Sequence, residues 1–198
     1  MTITAEQVKQ LRDQTGAGMM ECKKALAEAA GDVERAVELL RKAGMAQAAK
    51  RSGRAASEGL VDAYIHPGNR VGVLIEVNCE TDFVARTPEF AELVRNLAMQ
   101  VAAAGAEYVS RDEVPSDRVA KEREILAAQT EGQGKPAAII DKIVDGRVNK
   151  FFADVCLLEQ AYIRDDKTTV QEMIQQASAK TGENIVLRRF ARFRLGQD

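Results

Sequence analysis

Val71-Gly72-Val73-Leu74-Ile75-Glu76-Val77-Asn78-Cys79 runs directly into Glu80-Thr81-Asp82-Phe83-Val84-Ala85-Arg86-Thr87-Pro88. Val71, Val73, Ile75, Val77 and Cys79 alternate with Gly72, Leu74, Glu76 and Asn78, and this period of two with β-branched residues marks a strand. Upstream, Val61, Ala63 and Ile65 alternate with Asp62, Tyr64 and His66, and Pro67-Gly68-Asn69 separates the two runs as a hairpin turn. Downstream, Pro88 suits the first turn of a helix, and Phe90, Leu93, Val94, Leu97 and Val101 line one side of it. Asp82 and Phe83 therefore fall on the connection, where a rigid scaffold presents side chains to a partner. A large aromatic there is covered either by its own fold or by something the fold binds.

Towards the amino terminus the pattern is helical. Thr4 and Gln7 have capping-box spacing, and Val8 and Leu11 give the first helix an apolar side. Thr15-Gly16-Ala17-Gly18 breaks it, and a second helix is predicted from about Met19 to Ala30. Gly31-Asp32 stops that helix and caps a third, with Val33, Ala36, Val37 and Leu40 on one face. Residues 45–57, rich in Ala, Gly and Ser, read as a linker. Past the Pro88 helix, a charged helix is predicted over about Ser116 to Thr130, with a thin apolar side of Val119, Ile125 and Leu126. Gly132, Gly134 and Pro136 interrupt the pattern. Ile140, Val144, Val148, Phe151, Val155 and Leu158 then mark one or two longer helices, with a break or kink at Gly146. Thr169 to Glu172 is another capping box, and Gly182 ends the helix it starts. Ile185 to Leu195 reads as a third strand, its alternation broken at Arg189.

The fold class expected is α+β. A three-helix module (1–44) and a linker (45–57) precede a core (58–198) in which a three-stranded antiparallel sheet packs with helices.

Composition narrows the chemistry. The 198 residues carry a net charge of −2, which does not point to a polyanion binder, and no direct nucleic-acid contact is expected. Lys50, Arg51 and Arg54 read as part of a solvated linker, and Arg188, Arg189, Arg192 and Arg194 as charges that keep a strand edge from aggregating. Cys22, Cys79 and Cys156 are isolated, which argues for a reducing compartment and against a disulfide framework or structural zinc site. His66 is the only histidine and sits beside a turn, so a histidine-based catalytic or metal centre is not expected. No long apolar run is present, and a soluble, cytoplasmic protein without membrane contact or cofactor is expected.

Thr15-Gly16-Ala17-Gly18-Met19-Met20 lacks the lysine and hydroxyl spacing of a phosphate loop and follows a helix, so it reads as a helix–helix turn. Met19 and Met20 fit either a partner's groove or the module's own core. Asp82 has no second titratable group nearby in sequence, which is too little for acid–base catalysis. From pattern alone, Phe83 reads as a staple against Phe90 or Val84.

Leu11-Arg12-Asp13-Gln14-Thr15-Gly16-Ala17-Gly18-Met19-Met20-Glu21-Cys22-Lys23-Lys24-Ala25-Leu26 resembles the amino-terminal signature of the bacterial translation elongation factor Ts family. Glu76 through Arg86 resembles its second signature, and Gly182-Glu183-Asn184-Ile185 through Phe190 is also similar. Glu21 stands where the family often has Asp. The resemblance implies a ubiquitin-associated-like module and a guanine nucleotide exchange factor for elongation factor Tu, with no covalent chemistry of its own. It implies that Thr81, Asp82, Phe83 and Val84 intrude into the GTPase and dislocate its Mg²⁺, with Leu11, Met19 and Met20 as a second contact. Longer family members carry two core halves where this chain has one. A homodimer with sheet-to-sheet contact and two GTPases bound is therefore expected.

Overall fold

Local signals start and stop most of the helices. Thr4 caps α1 (Ala5–Thr15) with both arms of a capping box: its hydroxyl accepts from the Gln7 N–H at 3.2 Å, and the Gln7 side chain accepts from the Thr4 N–H at 3.0 Å. Gly16, at φ 69°, closes α1 in the left-handed region and donates its N–H to Arg12 at 2.7 Å. Asp32 accepts from the Arg35 N–H at 3.1 Å and opens α3 (Val33–Arg51), while α2 (Met19–Glu28) lies between the two. The computed structural model describes residues 3–130 and 136–197, so Gly132 and Gly134 lie outside the described residues.

Two compact units result, one from Met1–Leu60, Val77–Leu93 and Glu172–Val186, the other from Val61–Glu76, Val94–Gln171 and Leu187–Asp198. In the first, α1, α2 and α3 pack on one another around Val8, Leu11, Cys22, Ala25, Leu26 and Ala36. The third helix does not stop near residue 44. It runs on to Arg51 through Ala-rich sequence that favours helix, so the first half of the 45–57 stretch is helical. Arg41 pairs with Glu172 at 2.9 Å, and a Cβ on Gly44 would stand 3.1 Å from that of Ala179. Both partners lie on α8 (Val170–Thr181), so this helix joins the first unit from its Glu172 onward.

β1 (Glu58–Ile65), β2 (Val71–Cys79) and β5 (Val186–Arg194) form the expected three-stranded antiparallel sheet in the order β1-β2-β5. Gly59, at φ 143°, is required where β1 approaches β2: a Cβ there would lie 2.1 Å from the Val77 carbonyl oxygen. Val73 and Ile75 of β2, with Val94, Leu97, Ala98 and Val101 of α5 (Pro88–Ala104), are buried in the core of the second unit.

The opposite face of the sheet is apolar and open. Val61 and Ile65 of β1, Leu74 of β2, Phe193 of β5 and Leu195 just beyond it are all exposed. Ile65 lies over Gly72, where a Cβ would come within 3.0 Å of its Cδ1, and Arg189 donates to Glu76 on the same face at 2.7 Å. In β5 both Arg188 and Arg189 are exposed, and the parity shifts there. Phe190 and Arg192 turn partly inward while Ala191 and Phe193 turn out.

The second unit also holds α6 (Ser116–Ala128) and α7 (Ala137–Val155), which pack on each other. Arg123 pairs with Asp145 across them at 2.5 Å, so the charged 116–130 segment has a partner as well as solvent. Of the break or kink expected at Gly146, the break is absent: α7 runs through it, and a Cβ there would meet nothing within 4 Å. The sequence reading did not anticipate a short hairpin, β3 (Ala161–Tyr162) with β4 (Asp165–Thr169). No helix among the described residues is long and apolar enough to cross a membrane.

Candidate functional site

Thr81 converts the end of β2 into a helical turn. It is extended, at φ −128° and ψ 154°, and its hydroxyl accepts from the Val84 N–H at 3.4 Å. The connection is thus a single turn of helix, α4 (Asp82–Ala85). Thr87 closes it from the other side, donating its hydroxyl to the Val84 carbonyl at 2.8 Å and accepting from the Phe90 N–H at 3.2 Å. Ala85 and Phe90 are buried and anchor the turn, and Asp82 pairs with Arg86 at 3.0 Å, i to i+4 along it.

Phe83 is 81% exposed. The staple reading therefore fails. Phe90 goes into the core without it. Val84 and Asp82 are half-buried, so the ring stands proud of a polar turn.

The turn is fastened from below. Cys79, fully buried, donates its thiol to the Thr81 carbonyl at 3.2 Å. Burial raises the pKa of this thiol, and the Glu183 carboxylate pushes in the same direction. Glu183 itself accepts from the N–H of Glu80 at 3.0 Å, from the N–H of Thr81 at 3.1 Å and from the Thr81 hydroxyl at 2.6 Å. Sequence reasoning assigned Glu183 no role beyond its place in a motif. No local signal could have found one, since 102 residues separate it from Thr81.

The second patch begins where α1 turns into α2. Gly18 donates to the Glu21 carboxylate at 3.2 Å, which fixes the first turn of α2 and leaves Met20 76% exposed and Met19 partly so. Leu11 differs: it is fully buried in the core of the three helices. Thr81–Val84 and Met19–Met20 belong to the same compact unit. Among the described residues of that unit, the other exposed large apolar side chain is Val33.

Among the described residues no group of three or more His, Cys, Asp and Glu side chains is placed to hold a metal ion. The three cysteines are free and buried. His66 shares a hydrogen bond with the Tyr64 hydroxyl at 3.1 Å on the exposed hairpin. What the geometry offers is two apolar protrusions, Phe83 and Met20, on rigid helical turns.

The family model described as "Elongation factor TS" matches residues 2–197. The chain is 58% identical over 195 residues to an elongation factor Ts of Thermoanaerobacter sp. (strain X514), covering 98% of this chain and 96% of that protein. It is 60% identical over 195 residues to that of Moorella thermoacetica, with coverage of 98% and 96%. It is 57% identical to that of Caldanaerobacter subterraneus subsp. tengcongensis, with 98% of both chains covered.

Proposed function

The chain belongs to the elongation factor Ts family, and we propose that it is the guanine nucleotide exchange factor of elongation factor Tu in protein synthesis, acting without covalent chemistry. The observation that carries the mechanism is Phe83, 81% exposed on a turn whose backbone is capped at both ends. Exposing a benzyl group is unfavourable in the free chain, and it becomes favourable when a partner covers the ring.

Phe83 enters between packed elements of the GTPase. A close-packed interior has no spare volume for a ring, so the elements beside it shift. Asp82, held by Arg86 in the free chain, fixes the register of the wedge by hydrogen bonding beside it, and Thr81 and Val84 complete the intruding segment. The displaced elements lose their grip on the GTPase's Mg²⁺. Without that ion the phosphate charge is no longer bridged, and GDP loosens. Met19 and Met20 make the second contact on the same GTPase, with flexible thioethers that adapt to a groove. Leu11, buried in the core of the three helices, contributes stability and does not touch the partner. Exchanger and nucleotide each weaken the other's affinity by the same factor, so GTP entry expels the exchanger.

The exposed sheet face supports a homodimer, one GTPase bound to each copy. Val61, Ile65, Leu74, Phe193 and Leu195 form an exposed apolar field of the kind a twofold pairing covers.

The exchange reading is tested by release of labelled GDP from elongation factor Tu. Truncating a central interface aromatic costs about 2 kcal/mol or more, so Phe83→Ala is expected to slow catalysed release by roughly 30-fold. Because the ring is exposed, the melting curve is expected to be unchanged. Wild-type rates from the variant, or a variant that unfolds, would refute the wedge.

A further inference from the structure

The exchange reading leaves Gly182-Glu183-Asn184 without a task, although Glu183 and Asn184 hold a dense set of part-buried hydrogen bonds beside the wedge. Glu183 gathers three donors, the N–H groups of Glu80 and Thr81 and the Thr81 hydroxyl, at 2.6–3.1 Å. The same hydroxyl caps α4 through the Val84 N–H. The carboxylate therefore grips the residue that orients the helical turn carrying Asp82 and Phe83.

Glu183 is itself held. Ser178 of α8 donates its hydroxyl to the Glu183 carbonyl at 2.5 Å. The next residue, Asn184, is buried; its N–H donates to the Glu80 carboxylate at 2.6 Å, and its side-chain amide donates to the carbonyls of Arg54 at 2.8 Å and Ser52 at 3.4 Å. Glu80 is also paired with Arg54 at 3.5 Å. The segment before the wedge, the end of α8 and the turn after α3 are thus cross-linked by side chains of three acidic or amide residues. Charge-assisted bonds to backbone N–H groups are the stronger kind, and a network of them resists local opening.

We propose that Glu183 is a positioning residue for nucleotide exchange: its carboxylate holds the Glu80–Thr81 backbone and the Thr81 cap so that Phe83 is presented to the GTPase already oriented. This rests on the exchange reading. A wedge loses effectiveness when it must first be ordered, because the ordering entropy is then spent at the barrier instead of in folding. Binding through Met19 and Met20 does not depend on the carboxylate.

Two measurements test it. In the GDP-release assay, Glu183→Ala is expected to lower the maximal exchange rate about tenfold while the half-saturating concentration changes by less than about twofold. Glu183→Gln, which keeps a carbonyl acceptor for the two N–H groups, is expected to recover most of the rate. If the alanine variant is too unstable to purify, Glu183→Asp, one methylene short of its donors, takes its place with the same expectation. The chain has no tryptophan, so Phe83→Trp places a lone indole on the wedge. Adding Glu183→Ala or Glu183→Asp to it is expected to lower the indole's steady-state anisotropy in the free protein. An unchanged maximal rate, or unchanged anisotropy, would overturn the assignment. Wild-type protein in the same assay separates the two readings: if it accelerates release and the variants match it, only the role of Glu183 falls; if it is inert, both fall.

Discussion

Replacing Phe193 by aspartate is expected to turn a dimer into a monomer. Val61, Ile65, Leu74, Phe193 and Leu195 are between 49% and 71% exposed. Side chains of this size carry roughly 150–250 Å² each, so the open field amounts to about 600 Å², the upper end for a monomer's largest apolar patch. Pairing two such faces removes about 1,200 Å², the lower edge of what stable interfaces bury. Phe193 is the most exposed of the five, at 71%. It contributes about 140 Å² per copy, and twofold symmetry counts it twice. At ~25 cal/mol per Å² the pair is worth roughly 7 kcal/mol gross. Incomplete closure of the seam lowers this; even at half that value the dissociation constant rises by a factor of several hundred. Aspartate adds the cost of desolvating two carboxylates that face each other.

The assay is sedimentation equilibrium from low to high micromolar concentration. Wild type is expected at twice the 21.6 kDa chain mass, and Phe193→Asp at the chain mass itself. The circular dichroism of the variant is expected to match wild type, because Phe193 is largely exposed in the free chain. A wild-type monomer throughout the range, or a variant that still dimerises, would refute the argument from the exposed face.

Other outcomes follow from the same structure. Met20→Asp, at a side chain that is 76% exposed, is expected to weaken binding to the GTPase about tenfold in titration calorimetry with no change in melting temperature. Leu11→Ala, in contrast, empties a fully buried site and is expected to cost ~2–5 kcal/mol in chemical denaturation, a loss of stability and not of a contact. Cys156, fully buried in the second unit, has its thiol pKa raised from 9.0 to about 11 by burial and by the Glu159 carboxylate. The unfolded chain then loses this proton first, so the contribution is complete below pH 9 and is lost as pH rises towards about 11. Denaturation midpoints measured across that window are expected to fall more steeply for wild type than for Cys156→Ala.

Much of the architecture was legible in local chemistry. The Thr4–Gln7 box, Asp32 and the alternation from Val71 to Cys79 placed α1, α3 and β2 because each signal acts within a few residues. The parts that were missed needed information local chemistry does not hold. The β3–β4 hairpin turns on Ile163 and Arg164, without glycine or asparagine, and its second strand opens Asp165-Asp166-Lys167. A helix of four residues such as α4 is too short to show a period. Gly146 suggests a break, yet one glycine costs only about 1 kcal/mol in a helix that packs along its length. In β1 the alternation was read correctly, but a period of two has no sign. It says that Val61, Ala63 and Ile65 share a face and does not say that this face stays open.

Phe83 and Phe193 show why exposure has to be weighed with its surroundings. Both rings are largely exposed in the isolated chain, and the same hydrophobic argument requires that something cover each of them. Phe193 has Val61, Ile65, Leu74 and Leu195 on its own sheet face, a broad apolar field. Phe83 stands on a turn with Asp82 and Arg86 paired beside it and a half-buried Val84, so it offers one ring and little apolar area around it. A lone ring with a polar base cannot close a flat interface without burying that ion pair. It can enter a gap of its own width, and a turn capped by Thr81 and Thr87 is stiff enough to hold it there. The field suits permanent association and the single ring suits a transient one. On the proposed exchange reading, a factor that leaves when GTP arrives would keep a lasting contact on the first and make its transient contact with the second.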